Sequence, residues 1–463
     1  PNSQTTAQEA AEWLNTDSHL TSALSAQLAR SLQSSGAESV ALNAGTAAEL
    51  SCGYWLIVAK DDAIAQGEAG TAPIMTLVGG SAVTVKPKAA TPKVAKHVLE
   101  DSTAAWQKAA DATVADDLYW RLSATVPAGL TAYDTYTVRF VDTMSAGLDP
   151  SMVAASMRVY VAAGADGGFG AVQTDKDGRA GTEPAKGWTD ITAQCATKVA
   201  ADGKTFTVRT GDLVAALGGA DAFTAGARVV AVYNAPLNSA CNHGIAKGNP
   251  NEVYLRYPRS PFADQSGDAG FTRTPSDDAC AYTWDLALTK RGSDGDKPLA
   301  GAVLSIADDR GRTLAADGTW DAEGKATVTT GEDGRVTVSG VDSGKLEVRE
   351  LKAPKGYAAF EGTRSVTVKA EGLDVDQVAA AKPKLTITAE SPLRADSADG
   401  STGSLEASLI NTPTGTPPSI TTGGFMPSTG DMAMYAAAAA AVAGAALIVV
   451  ALLVKRGGGS HKE

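Results

Sequence analysis

Short runs in which apolar and polar residues alternate recur along most of the chain, each closed by Gly, Asp, Asn or Pro. A period of two puts one face of a strand on a core and the other in water. Tyr54–Val58 and Pro73–Val78 are the first such runs. Tyr136–Val141, Met157–Val161, Thr205–Val208, Arg228–Tyr233 and Glu252–Tyr257 form a second group. Trp284–Thr289, Ala302–Ile306, Arg335–Val338, Leu346–Arg349, Ser365–Val368 and Lys384–Thr388 form a third. Short strands at this spacing, with turn residues between them, predict a mainly β chain of tandem immunoglobulin-like sandwiches. Two segments depart from the pattern. In AEWLNTDSHLTSALSAQLARSLQSS, Leu20, Leu24 and Leu28 recur every four residues, which predicts a short N-terminal amphipathic helix. From Tyr435 to Val454 no charged residue occurs, and that run is long enough to cross a bilayer as a helix.

The grouping predicts an N-terminal domain over residues 1–85, a middle domain over 86–279, a third over 280–415 and a terminal segment over 416–463 with a transmembrane helix at 435–454. GADGGFGAVQTDKDGRAGTEPAKG, inside the second region, reads as a long surface loop. The stretch from Asn411 to Gly424, rich in Pro, Thr and Gly, reads as a spacer.

Composition narrows the function classes. The 463 residues are 44% hydrophobic and 20% charged, enough to pack cores, and the formal net charge of -12 argues against nucleic-acid binding, which wants a basic stripe that the sequence does not show. His19, His97, His243 and His461 are scattered, without HExxH spacing, so no metal site and no cofactor are expected. GADGGFG lacks the Lys-Ser/Thr of a phosphate-binding loop, no EF-hand spacing surrounds Ser293–Asp296, and no Ser/His/Asp constellation stands out. An enzyme is therefore not expected. Cys52, Cys195, Cys241 and Cys280 contain no CxxC; in an exported protein they permit two disulfides, and Cys195 with Cys241 is the pairing favoured here, four free buried thiols being the other reading.

The C-terminal order of features sets the compartment. Lys455 and Arg456 follow the apolar span at once, as expected on the cytoplasmic side, which places everything before Tyr435 outside. Just upstream stands Met426-Pro427-Ser428-Thr429-Gly430. Motif, apolar span and basic tail together resemble the LPXTG cell-wall sorting signal, with Met for Leu. That resemblance implies sortase cleavage between Thr429 and Gly430 and transfer of Thr429 to an amine, with peptidoglycan as the final anchor. A membrane-anchored protein with a Pro-rich stalk is the plainer reading. Export implies a leader, whereas the sequence opens on a polar segment at Pro1.

The third region carries Trp284–Lys290 followed by Lys297-Pro298-Leu299-Ala300-Gly301-Ala302, then Leu346–Tyr357 with Glu350 ahead of Ala353-Pro354-Lys355-Gly356-Tyr357, and finally Ser408-Leu409-Ile410-Asn411. These resemble the opening, E-box and last strand of collagen-adhesin B-type domains. The resemblance implies an intramolecular isopeptide bond between Lys290 and Asn411, promoted by Glu350. An ordinary Lys290–Glu350 ion pair is the alternative. The middle region carries Lys93–Val98, Tyr136–Leu148 and Gly248–Tyr257. It resembles the fimbrial D2-type domain, which implies the same chemistry for Lys96, Asp142 and Asn251, with Lys93 and Asn249 as competitors. Val83-Thr84-Val85-Lys86-Pro87-Lys88 is similar to the pilin motif, with Lys in place of its Tyr; Lys88 then joins subunits, the alternative being a solvated linker.

Taken together the chain resembles the sortase-dependent backbone pilins of Gram-positive bacteria. The implied function is a structural subunit polymerised with copies of itself into a wall-anchored, extracellular fimbria supporting adhesion. The rival reading is a monomeric surface adhesin that binds a host ligand.

Overall fold

The computed structural model describes residues 6–16, 19–35, 39–60, 64–86, 91–127, 130–164, 187–224 and 226–415. The sorting-signal residues Met426 to Gly430, the apolar span 435–454, Lys88 and most of the Gly-rich loop of the middle region lie outside them. Among the described residues no helix is long and apolar enough to cross a membrane.

Two helices open the chain. α1 (Ala7–Leu14) begins at Thr6, whose hydroxyl accepts from the Glu9 N–H while the Glu9 carboxylate accepts from the Thr6 N–H. That reciprocal cap satisfies donors a helix start leaves open. α2 (Ser22–Ser35) is a separate helix. Its buried face is Ser25, Ala26 and Ala29, whereas Leu20 precedes it and is 42% exposed. The four-residue leucine spacing therefore marks the helix, with Leu24 and Leu28 half-buried beside these small residues, which let the helix approach closely. β1 (Gly53–Ile57) and β2 (Ile74–Val78) form a two-stranded antiparallel ribbon.

The middle domain is a sandwich of two sheets. One has the order β4 (Ala105–Gln107), β3 (Val94–Glu100), β6 (Tyr119–Thr125), β12 (Arg228–Asn234), β8 (Arg158–Ala162), β9 (Thr189–Asp190). The other runs β10 (Ala196–Val199), β11 (Thr205–Arg209), β7 (Arg139–Met144), β13 (Asn249–Pro258), β15 (Asp277–Tyr282), β5 (Ala109–Asp111), with β14 (Phe271–Arg273) added beside β13. Strict alternation shows in β6, where Trp120, Leu122 and Ala124 are buried, and in β7, where Phe140, Asp142 and Met144 are buried. Inward residues of both sheets form one core around Trp120, Phe140, Phe206 and Leu255.

The C-terminal domain repeats the plan. Its smaller sheet runs β21 (Arg335–Val341), β16 (Trp284–Gly292), β26 (Ser404–Asn411), β25 (Leu393–Asp399). The facing sheet runs β19 (Trp320–Asp321), β18 (Thr313–Leu314), β17 (Val303–Ala307), β22 (Gly344–Lys352), β23 (Thr363–Glu371), β24 (Lys384–Ala389), with β20 (Val328–Thr329) beside β17. The first and last strands of this domain, β16 and β26, pair in parallel. Leu286, Leu288, Val348 and Leu405 lie in its core.

Only Thr283 separates β15 from β16. Asp111 of the middle domain accepts from Trp284 Nε1 and from the backbone and hydroxyl of Ser343, each at 2.7 Å. Asp116 accepts from Arg310 and Arg312 of the C-terminal domain. These charge-assisted bonds fix the two sandwiches against each other.

Candidate functional site: two buried lysine–acid–asparagine clusters

In the C-terminal domain, alternation along β16 turns Lys290 inward together with Leu286 and Leu288. No part of its side chain is exposed. The parallel register sets Lys290 opposite Leu409 and Gly292 opposite Asn411, so Lys290 and Asn411 sit on adjacent strands two positions apart. Glu350 reaches the pair from β22 in the facing sheet. Lys290 Nζ lies 3.6 Å from Glu350 Oε1 and donates to Leu409 O at 3.1 Å. Asn411 Nδ2 donates to both Glu350 oxygens at 2.9 Å, and Phe360 N–H donates to Oε2 at 3.1 Å. Asn411 Oδ1 is buried without a hydrogen-bond partner. Burial pulls the Lys290 amine down to about 8, against the opposing pull of Glu350.

The middle domain assembles the same residue types differently. Lys96 comes from β3 in one sheet, while Asp142 and Asn251 come from the neighbouring strands β7 and β13 of the other. All three are fully buried. Lys96 Nζ contacts Asp142 Oδ2 directly and donates to the Tyr233 hydroxyl at 2.9 Å. Tyr233 in turn donates to Asp142 Oδ2 at 3.1 Å and accepts from Asn251 Nδ2 at 2.8 Å. The amine lies 5.4 Å from the ring centres of both Trp120 and Tyr233. Asp142 Oδ1 and Asn251 Oδ1 have no partner. Burial lowers Lys96 to about 8, against Asp142, and raises Asp142, against Lys96. Both shifts favour a neutral amine beside a neutral carboxyl. The β3 backbone is held in place by Asp277, which accepts from the Lys96 N–H at 2.7 Å, and by Lys108, which donates to Lys96 O at 2.8 Å.

The competing residues are placed elsewhere. Lys93 is exposed, and its N–H donates to Thr125. Asn249 is buried, but its amide is taken up by Asn242 O at 2.9 Å and Ala281 O at 3.2 Å. Tyr233 and Trp120 escaped the reading of the sequence. Tyr233 shares inward parity on β12 with Val229 and Ala231, and a phenol among core aliphatics calls for a polar partner.

The expected Cys195–Cys241 bridge is not formed: all four cysteines are free thiols. Cys195 precedes β10, three strands across the sheet from β13, whose leading loop carries Cys241. Cys195 Sγ instead donates to Ile191 O at 3.2 Å, and Cys241 Sγ lies 3.7 Å from His243 Nε2. Among the described residues no group of His, Cys, Asp and Glu is arranged to hold a metal.

Chemically, both clusters place a lysine amine and an asparagine carboxamide around one acid. A neutral amine can attack the carboxamide carbon. The C–N bond to lysine forms, the bond to the amide nitrogen breaks, and ammonia leaves. In the C-terminal domain the departing nitrogen already rests on the Glu350 carboxyl. In the middle domain it rests on the Tyr233 hydroxyl, which connects to Asp142. Packing supplies the proximity that an enzyme otherwise provides.

The chain is similar to several known proteins over parts of its length. Residues 285–382 match the family described as SpaA, prealbumin-like fold domain. The trypsin-resistant surface T6 protein of Streptococcus pyogenes serotype M6 is 30% identical over 143 residues, covering 29% of this chain and 24% of that protein. The matched stretch thus spans about a quarter of that relative. Among solved structures, the T6 backbone pilin of serotype M6 Streptococcus pyogenes has 18% identity and a TM-score of 0.47, covering 85% of this chain and 89% of that one. The full-length major pilin SpaD from Corynebacterium diphtheriae has 16% identity and a TM-score of 0.42, covering 76% and 77%. The group B streptococcus pilus 2b backbone protein has 19% identity and a TM-score of 0.43, covering 68% and 98%.

Proposed function

We propose that this chain is the backbone subunit of a Gram-positive pilus, polymerised with copies of itself by sortase and anchored to the cell wall. Each of its two large sandwiches closes with a Lys–Asn isopeptide bond: Lys290 to Asn411, promoted by Glu350, and Lys96 to Asn251, promoted by Asp142. The observation that carries this reading is the burial of both lysines, each beside an acid and an Asn, on strands far apart in sequence. Two lysines buried next to unsatisfied asparagine oxygens would be costly as charged ion pairs. They make sense as neutral reactants consumed in a condensation. Once formed, the bonds route tension around the weaker hydrogen-bonded strands, which suits a fibre subunit that carries load while supporting adhesion.

In the assembly step, sortase cuts between Thr429 and Gly430 and passes the Thr429 acyl group to Lys88 of the next subunit. The amine of Lys88 forms the new amide, and the enzyme thiol is the leaving group. The test is incubation of the full chain with a pilin-type sortase, followed by denaturing electrophoresis. A ladder of covalent multimers that vanishes in the Lys88→Ala variant supports the pilin. A single wall-linked species unaffected by Lys88→Ala favours a monomeric adhesin and overturns this reading.

A further inference from the structure

A row of arginines crosses the outer face of the middle domain's larger sheet. Arg209 on β11 lies opposite Arg139 on β7, Arg139 opposite Arg256 on β13, and Arg256 opposite Arg273 on β14. Directly opposed residues share one face of a sheet, with neighbouring strands about 4.8 Å apart. Like charges in that position destabilise strand pairing. The chain as a whole has a formal net charge of -12, so a line of four guanidinium groups runs against its general balance.

One carboxylate answers part of the row. Asp268, from the loop that folds over the strands, accepts from Arg139 and, at 2.9 Å, from Arg256. Arg256 first, then Arg139, holds the Asp268 carboxyl below its ordinary range. Arg139 also donates to Gly267 O at 3.0 Å, and Arg209 to Gln265 O at 3.5 Å. This anchoring engages the middle of the row. At the far end Arg273 is exposed and lies 5.2 Å from the centre of the Tyr254 ring. There a cavity of about 260 Å³ opens, lined by Gln66, Arg256, Arg259, Phe271, Thr272 and Arg273. Three of its six lining residues are arginines and none is acidic. A water molecule takes up about 30 Å³, so this space is far larger than a bare ion needs. It suits a charged oxyanion carried on a ring-sized polar body, which planar guanidinium forks grip best.

We propose that this cavity is a binding site for the sulfate or carboxylate group of an acidic saccharide, gripped by Arg273, with Arg256, already held by Asp268, at its rim. Gln66 then supplies a neutral hydrogen bond to the sugar body. The site is distinct from both lysine clusters, since it lies on the outer face of the sheet whose inner face carries Asp142 and Asn251.

Isothermal titration of the full chain with a sulfated disaccharide at low salt tests this directly. Binding is expected, with competitive displacement by inorganic sulfate. Arg273→Gln is expected to weaken it at least ~10-fold, the scale of losing one charge-assisted contact. Arg273 is exposed at the end of a short strand, so the variant is expected to keep the wild-type melting midpoint. Arg349→Gln, an exposed charge on the C-terminal domain, serves as the control and is expected to leave the affinity unchanged. Absence of binding, failure of sulfate to compete, or equal weakening by both variants would overturn the assignment.

Discussion

The two sandwiches hold the same three residue types in different topological places. In the C-terminal domain Lys290 and Asn411 lie on adjacent parallel strands of one sheet, the first and last of the domain, and the acid comes from the sheet opposite. In the middle domain Lys96 faces Asp142 and Asn251 across the core, so a bond there would staple sheet to sheet. A bond in the first arrangement would tie entry to exit, so that force entering at β16 and leaving at β26 would have little else to unravel. The second leaves β14 and β15 beyond the tie, because Asn251 stands near the start of β13 and the chain continues to Tyr282. The acids also meet the asparagine amide differently. Glu350 touches the amide nitrogen itself, whereas Asp142 communicates with it through Tyr233.

The largest effect that would sharpen this contrast is removal of each proposed bond. Asn411→Ala and Asn251→Ala each open a loop of more than about 100 residues, which the chain-entropy treatment of cross-links values at about 5 kcal/mol. Calorimetry should show each variant lowering the transition of its own domain. If either variant moved both transitions equally, the domains would not be separately locked. Next in size is the response to force. Pulling a single molecule should release ~30 residues from the middle domain, about 100 Å of chain, and almost nothing from the C-terminal one. Equal extension from both would break the topological distinction. Tyr233→Phe comes third: it should slow bond formation in the middle domain by ~10- to 100-fold, the scale of a lost proton relay, and leave the C-terminal bond unaffected. Peptide mapping over a refolding time course reads both.

The smallest effect is pH dependence. In Asn411→Ala the amine of Lys290 survives, and burial holds it at about 8 in the folded state. Unfolded, a lysine titrates near ~10.4. Between those values the unfolded chain binds more protons, so the variant should gain stability as pH rises from about 8 toward ~10.4. The linked wild-type domain, whose lysine is an amide, should show no such rise. A parallel rise in both would mean the wild-type amine is free.

The fold class was legible because period-two alternation survives in strands such as β6 and β7, and turn residues mark their ends. That Lys290, Glu350 and Asn411 meet was legible only through the order of their flanking motifs; residue types alone cannot distinguish a buried cluster from a surface ion pair. Tyr233 and Trp120 were not legible, since an aromatic in a core strand reads as packing until a neighbour from another strand is known. The arginine row was hidden for the same reason. Arg139, Arg209, Arg256 and Arg273 are scattered in sequence, and only strand register lines them up. The cysteine pairing failed because a count of thiols carries no distances. The leucine spacing marked the opening helix, but the small residues Ser25, Ala26 and Ala29 that are buried in it carry no hydrophobic signal.

The central claim is that both clusters have condensed, and the mass of the intact chain with mapping of its cross-linked peptides tests it most directly. The account predicts a deficit of two ammonia molecules, with Lys290 joined to Asn411 and Lys96 joined to Asn251. The full uncondensed mass, or a loss of water in place of ammonia, would contradict it.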